Sequence, residues 1–127
     1  MLDEIFSLKE SVSIVTGAGS GNGKAIALGL DQAGSHVIGV DLSFKEYKSG
    51  INKIEGDILD KSILEKVKKI IEEIKYKKLI LINNAGITLP VDGFYPLDKW
   101  NKTLEVNLTA PFLWIENLKT EFEKLKS

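Results

Sequence analysis

Cysteine is absent from the 127 residues. That removes a disulfide framework, thiolate catalysis and cysteine-ligated metal, and no metal site is expected. Histidine is almost as scarce. His36 is the only one, and at the start of a strand it reads as a surface residue rather than a base. An excess of one charge is also missing: 17 Lys and Arg stand against 18 Asp and Glu, a formal net charge of -1. The lysines are scattered or interleaved with glutamates and form no basic stripe, so nucleic acid is not an expected partner. No stretch approaches the roughly 18 consecutive apolar residues that would span a bilayer. The opening MLDEIFSLKE also lacks the basic-then-apolar order of a secretory signal. A cytoplasmic protein without a membrane partner is expected. Internal repeats and low-complexity linkers are lacking too.

What remains is an ordinary globular composition, 43% hydrophobic and 28% charged, of a length that suits one domain covering 1–127. VSIVT (12–16) gives a first strand, and a helix follows from about Gly21 to Ala33, closed by Gly34 in a left-handed C-terminal position. HVIGVD (36–41) is a second strand. LSFKEYKSG holds at most a short helix before NKIEGD, a weaker third strand ending at Asp57. Ile63, Leu64, Val67, Ile70, Ile71 and Ile74 recur at the spacing of one helical face, with Asp60 placed as N-cap. KLILIN (78–83) is so continuously apolar that a strand covered on both faces is expected. After a loop with Pro90, Gly93 and Pro96, a turn or two around Trp100 and Leu104 precede a long last helix marked by Leu108, Phe112, Ile115, Leu118, Phe122 and Leu125. Strands alternating with helices point to parallel βαβ units, an α/β fold. Nothing follows the last helix to pair with the fourth strand, which would leave an apolar edge.

The stretch VTGAGSGNGKAIALGL (15–30) joins a strand to a helix through four glycines. The pattern G-x-G-x-x-G fits neither register, because its sixth position falls on Asn22 or Lys24; G-x-x-x-G-x-G fits on Gly17, Gly21 and Gly23, with Gly19 as an extra. A strand end running into a helix N-terminus offers unpaired N–H groups and a favourable dipole, so this loop can hold a pyrophosphate. A Walker loop is excluded because Lys24 is followed by Ala25. Asp41 ends the second strand about twenty residues on, where a carboxylate accepts hydrogen bonds from adenosine ribose hydroxyls. Its charge would repel a 2′-phosphate, so NAD is expected over NADP. Asn83 and Asn84 stand at the C-terminal end of the fourth strand, where open α/β sheets bind ligands. A side-chain-capped turn closed by Gly86 reads equally well there. Gly29, in mid-helix, disfavours the helix by up to about 1 kcal/mol relative to Ala and is expected to allow close helix packing.

With TGAGSGNG (16–23), Asp41, GDI (56–58), NNAG (83–86) and NL (107–108) in order, the chain resembles the short-chain dehydrogenase/reductase family nearly end to end. The resemblance implies a Rossmann-like doubly wound parallel sheet, four strands in the order 3-2-1-4 with flanking helices, truncated relative to the full family fold. It also implies hydride transfer between NAD(P) and a small alcohol or carbonyl. On this resemblance the glycine loop with Ser20 and Asn22 surrounds the pyrophosphate, and Asp57 and Ile58 face the adenine. Asn83, Ala85 and Gly86 line the nicotinamide-side ribose, Thr16 braces that segment, and Asn107 supports the catalytic proton relay. A buried asparagine bonded within its own helix would look the same as Asn107.

The family's reactive serine and Tyr-x-x-x-Lys lie downstream of that asparagine. Here no tyrosine follows Asn107, and the only later serine is Ser127. Tyr95 and Lys99 have the right spacing, but Pro96 interrupts them and they precede Asn107, so they are not taken as substitutes. Asn22 also departs from the aliphatic residue usual between the last two glycines. Three readings follow, in order of expectation. The first is the NAD-binding portion of an alcohol/carbonyl oxidoreductase, not catalytic as this isolated chain. The second is a non-catalytic dinucleotide-binding or self-associating module, and the third a truncated remnant. A homo-oligomer through the last helix is expected.

Overall fold

The structure, a computed structural model, describes residues 2–125. Strands β1 (Ser11–Thr16), β2 (His36–Asp41), β3 (Asn52–Glu55) and β4 (Lys78–Ile82) form one parallel sheet in the order β3-β2-β1-β4. Ile14 in β1 lies opposite Ile38 of β2 and Leu81 of β4. β1 is thus the inner strand of the three, and every one of its residues is buried. Successive side chains on a strand point to opposite faces. Val12 and Ile14 therefore join the core beneath the helices α3 (Lys61–Glu72) and α5 (Ala110–Glu123), while Val15 joins the core beneath α2 (Gly21–Gln32). A short helix α1 (Leu2–Phe6), without a signal in the sequence pattern, precedes β1.

Both sheet-flanking helices that lead back to a strand end as their sequences dictate. At the end of α2, Gly34 takes φ +99°, its N–H donates to the Asp31 carbonyl, and the Ser35 N–H donates to the Leu30 carbonyl. This pairing satisfies carbonyls the helix would otherwise leave open. At the start of α3 the Asp60 carboxylate accepts the Ser62 N–H at 2.9 Å, and that bond holds the Asp60 carboxyl below its usual range. Ile63, Leu64, Val67 and Ile71 of α3 are buried against the sheet, with Ile70 and Ile74 packed at the margin. The buried serines of β1 are matched by Ser35, just before β2: the Ser13 and Ser35 hydroxyls lie 2.6 Å apart, and the Ser11 hydroxyl donates to Ser35 at 2.8 Å.

Several expectations change. β4 is not covered on both faces: Leu79 is buried, but Ile80, Leu81 and Ile82 are only half-buried, and among the described residues β4 is an edge strand that pairs with β1 alone. The third strand stops at Glu55 and the fourth at Ile82, which leaves Asp57 and Asn83 in loops. No separate turns precede the last helix. The helix α4 (Leu97–Leu104) continues through a π-helical turn, Glu105–Thr109, into α5 without a break. Pro111 explains the widening: its ring collides with the carbonyl four residues back in an α-helix. The preceding turn opens instead, so that the Ala110 N–H reaches the Glu105 carbonyl. The helix has two apolar faces. Ala110, Trp114 and Leu118 are buried, whereas Leu108, Phe112 and Ile115 are exposed.

Gly29 is exposed and a Cβ there would meet nothing within 4 Å, so close helix packing does not require it. Gly29→Ala should therefore raise stability by about 0.5–1 kcal/mol, a few degrees in Tm by thermal unfolding. An unchanged or lower Tm would show a packing requirement after all.

Candidate functional site

β1 ends at Thr16 and the chain turns at once into the glycine loop. Gly17 takes φ +69°, in the left-handed region, and a Cβ on it would lie 2.8 Å from the Asn84 amide nitrogen and 2.9 Å from the Ala85 Cα. Only glycine lets this turn lie against the loop after β4. The contact is built by side chains as well as by shape. The Thr16 hydroxyl accepts the N–H groups of Asn84 and Ala85 at 3.1 and 3.0 Å, and the Asn84 side-chain amide donates to the Gly17 carbonyl at 3.2 Å.

The other side of the loop is tied to β2. The Gly17 and Ala18 N–H groups donate to the Val40 carbonyl, and the Gly19 N–H donates to Asp41 Oδ2 at 2.8 Å. Asp41 Oδ1 accepts the Leu42 N–H at 2.7 Å, so each carboxylate oxygen is fixed by one backbone donor and keeps a further lone pair. Gly19 is also sterically required, since a Cβ would sit 1.9 Å from the Ser43 carbonyl oxygen. β3 is attached at the same point by the Gly56 N–H, which donates to the Asp41 carbonyl.

α2 then begins with its first-turn donors unclaimed: Ser20 occupies the N-cap position but its side chain makes no capping bond. Such N–H groups, at the positive end of the helix dipole, are suited to an anion. Lys24 does not compete for it. Its ammonium lies 5.1 Å from the centre of the Tyr47 ring, with Lys53 at 4.8 Å from the same ring. Burial, with Asp31 adding to it, pushes the Tyr47 hydroxyl pKa up. The segment after Asp41 is seated on α2 by this stack.

A cleft of about 450 Å³ opens above these strand ends, within the range of small-molecule sites. Of the residues singled out in the sequence, Gly17, Ser20, Asn22, Gly23, Asp41, Asp57, Ile58, Ala85 and Gly86 line it. Thr16 is buried beneath it. Gly21 and Asn83 are exposed and stand outside the lining. Asn107 is exposed too and does not itself line the cleft, and its bonds run to Ile87 rather than within its helix. Its Oδ1 accepts the Ile87 N–H at 2.7 Å and its Nδ2 donates to the Ile87 carbonyl at 2.9 Å, a two-point clamp on the loop after β4. Tyr95 and Lys99 do not line the cleft; the Tyr95 hydroxyl lies 3.3 Å from Thr103 Oγ1. Asn84, expected at this strand end together with Asn83, lines the cleft as well, and lining residues that the sequence pattern did not mark are Leu42, Ile87, Val106 and Lys102. Lys102 and Val106 arrive from distant helical turns by tertiary packing.

A family model of short chain dehydrogenases matches residues 11–127. The chain belongs to the short-chain dehydrogenase/reductase family. It is 42% identical over 115 residues to the 3-oxoacyl-(acyl-carrier-protein) reductase of Buchnera aphidicola, an alignment covering 83% of this chain and 46% of the relative. To the NAD-dependent glycerol dehydrogenase of Listeria innocua it is 35% identical over 119 residues, covering 87% of this chain and 47% of the relative. The ligand-free aldohexose dehydrogenase of Thermoplasma acidophilum superimposes with a TM-score of 0.73 at 26% identity, covering 87% of this chain and 43% of that one. The chain spans about half the length of the curated relatives it matches. All three are oxidoreductases, and members of the family bind NAD(P).

The Thr16 hydroxyl is the one group that holds both amides of the NNAG segment. Thr16→Val keeps the shape but strands the Ala85 N–H, while the Asn84 N–H keeps the Ile82 carbonyl at 3.1 Å; the loss should lower stability by roughly 1–3 kcal/mol, read as a drop in Tm. Thr16→Ser should restore most of it. Equal Tm values for the valine variant and the parent would remove the hydroxyl from this role.

Proposed function

We propose that these residues form the NAD-binding part of an oxidoreductase acting on an alcohol/carbonyl pair. The observation that carries this reading is the uncapped start of α2 facing the same cleft as Asp41, whose two oxygens are already aimed by the Gly19 and Leu42 N–H groups. An anion and a ribose diol can then be bound side by side, the arrangement a dinucleotide presents. The name of the Listeria relative, an NAD-dependent enzyme, supports the same assignment.

In this reading the first-turn N–H groups of α2, with Ser20 and Asn22, receive the pyrophosphate, and Asp41 accepts the adenosine ribose hydroxyls. Asp57 and Ile58 bound the adenine end. Ala85 and Gly86 bound the nicotinamide side, held from below by Thr16 and from beside by Asn107, which acts as a positioning residue. When bound, the nicotinamide supplies or removes a hydride. Reduction of a carbonyl also needs a proton donor beside the developing alkoxide. Among the described residues no tyrosine-lysine pair lines the cleft, and the part assigned to these residues is cofactor binding.

The outer face of the last helix favours a homo-oligomer. Leu108, Phe112 and Ile115 are exposed along one side, continuous in sequence with exposed Leu97, Trp100 and Leu104 on α4. So many large apolar side chains on one helical rod are rarely left to solvent.

Asp41→Ala tests the assignment directly. By calorimetric titration it should bind NAD about tenfold more weakly, the loss of hydrogen bonds to a charged acceptor, while NADP should gain relative to NAD as the repulsion of its 2′-phosphate is removed. An unchanged NAD/NADP preference would take Asp41 away from the ribose.

A further inference from the structure

Asp57 and Ile58 connect β3 to α3 and form one wall of the cleft. Their local bonds shape the corner without anchoring it: Asp57 Oδ1 accepts the Leu59 N–H, and the Asp60 N–H donates to the Asp57 carbonyl. Behind the wall lies a second cavity of about 270 Å³, also lined by Ile58, together with Leu64, Leu113 and Trp114. Ile58 thus borders both spaces. Besides the packing of the Ile58 side chain, one hydrogen bond links it to the core. The Trp114 indole N–H, 56 positions further along the chain, donates to the Ile58 carbonyl at 2.9 Å. Trp114 is 1% exposed and sits among the buried residues of α3, α5 and the sheet, so its ring is held firmly. It does not line the nucleotide cleft itself.

We propose that Trp114 is the positioning residue for the adenine end of the cleft: its N–H keeps the Ile58 carbonyl from retreating into the cavity behind and thereby fixes the wall against which adenine packs. This rests on the reading that the cleft takes NAD with its adenine beside Asp57 and Ile58. Removing the donor leaves a carbonyl without its partner and a wall free to shift, whereas the pyrophosphate loop, attached to β1 and β2 by other bonds, is unaffected.

The test compares NAD with nicotinamide mononucleotide, which has no adenine, by calorimetric titration of the 127-residue chain and its Trp114→Phe variant. The variant should bind NAD five- to tenfold more weakly, about the worth of one hydrogen bond, with its affinity for the mononucleotide unchanged. Leu118→Ala, in the same core but without a bond to the wall, should lower Tm and leave the ratio of the two affinities as in the parent. Equal losses for both ligands in Trp114→Phe, or no loss for NAD, would overturn the role. Should that variant not fold, the Trp100→Phe protein decides, since Trp114 is then its only indole. ADP and NAD should change its emission and the mononucleotide should not, and silence toward ADP would overturn the proposal. A parent chain that binds neither NAD nor ADP would refute the cofactor reading itself; a parent that binds NAD as well as Trp114→Phe does would refute only the part given to Trp114.

Discussion

The Thr16 hydroxyl, at the end of the inner strand, is the point from which the cleft is organised. It accepts two N–H groups from the loop after β4, while the next two residues give their own N–H groups to the Val40 carbonyl of β2. Strand ends in a parallel sheet carry backbone groups with no neighbour to complete the ladder, and buried groups of that kind need partners. Here those partners are supplied across strands, by one side chain and one carbonyl. The floor of the cleft is thus rigid for the same reason that the sheet terminates cleanly.

Rigidity below allows an unsatisfied group above. The first turn of α2 is left without a side-chain cap, an arrangement that forgoes roughly 1 kcal/mol of helix stabilisation in the free chain and keeps the helix dipole available to a ligand. Asp41 obeys the same logic. A carboxylate near a site for an anion repels it unless its position is controlled, and the Gly19 and Leu42 N–H groups fix the Asp41 carboxylate at the end of β2. In the proposed reading, binding and discrimination belong to separate elements, a helix start and a strand end, joined by the Gly19 N–H.

Much of this was legible in the sequence, where local rules and tertiary structure agree. The spacing of Ile63, Leu64, Val67 and Ile71 marks the buried face of α3 because nothing else competes for those side chains. Gly34 announces a left-handed turn that other residues resist. The unread parts depend on packing between distant segments. Pro111 looks like a helix breaker, and only the π-helical turn before it shows how α4 runs into α5. Gly29 looks like a packing notch, yet it lies on an open face. Asn83 and Asn84 are equivalent by residue type, and the end of β4 at Ile82 decides which of them meets the cleft. Lys102 and Trp114 carry no motif at all, since their importance lies in what α4 and α5 bring beside the sheet.

The unclaimed N–H groups at the start of α2 remain the central claim, and a crystal structure of the chain with NAD tests it most directly. The pyrophosphate oxygens should lie within hydrogen-bonding distance of the Gly21, Asn22 and Gly23 N–H groups, with the adenosine ribose hydroxyls on Asp41. A nucleotide bound away from the start of α2, or with its ribose turned from Asp41, would contradict the account.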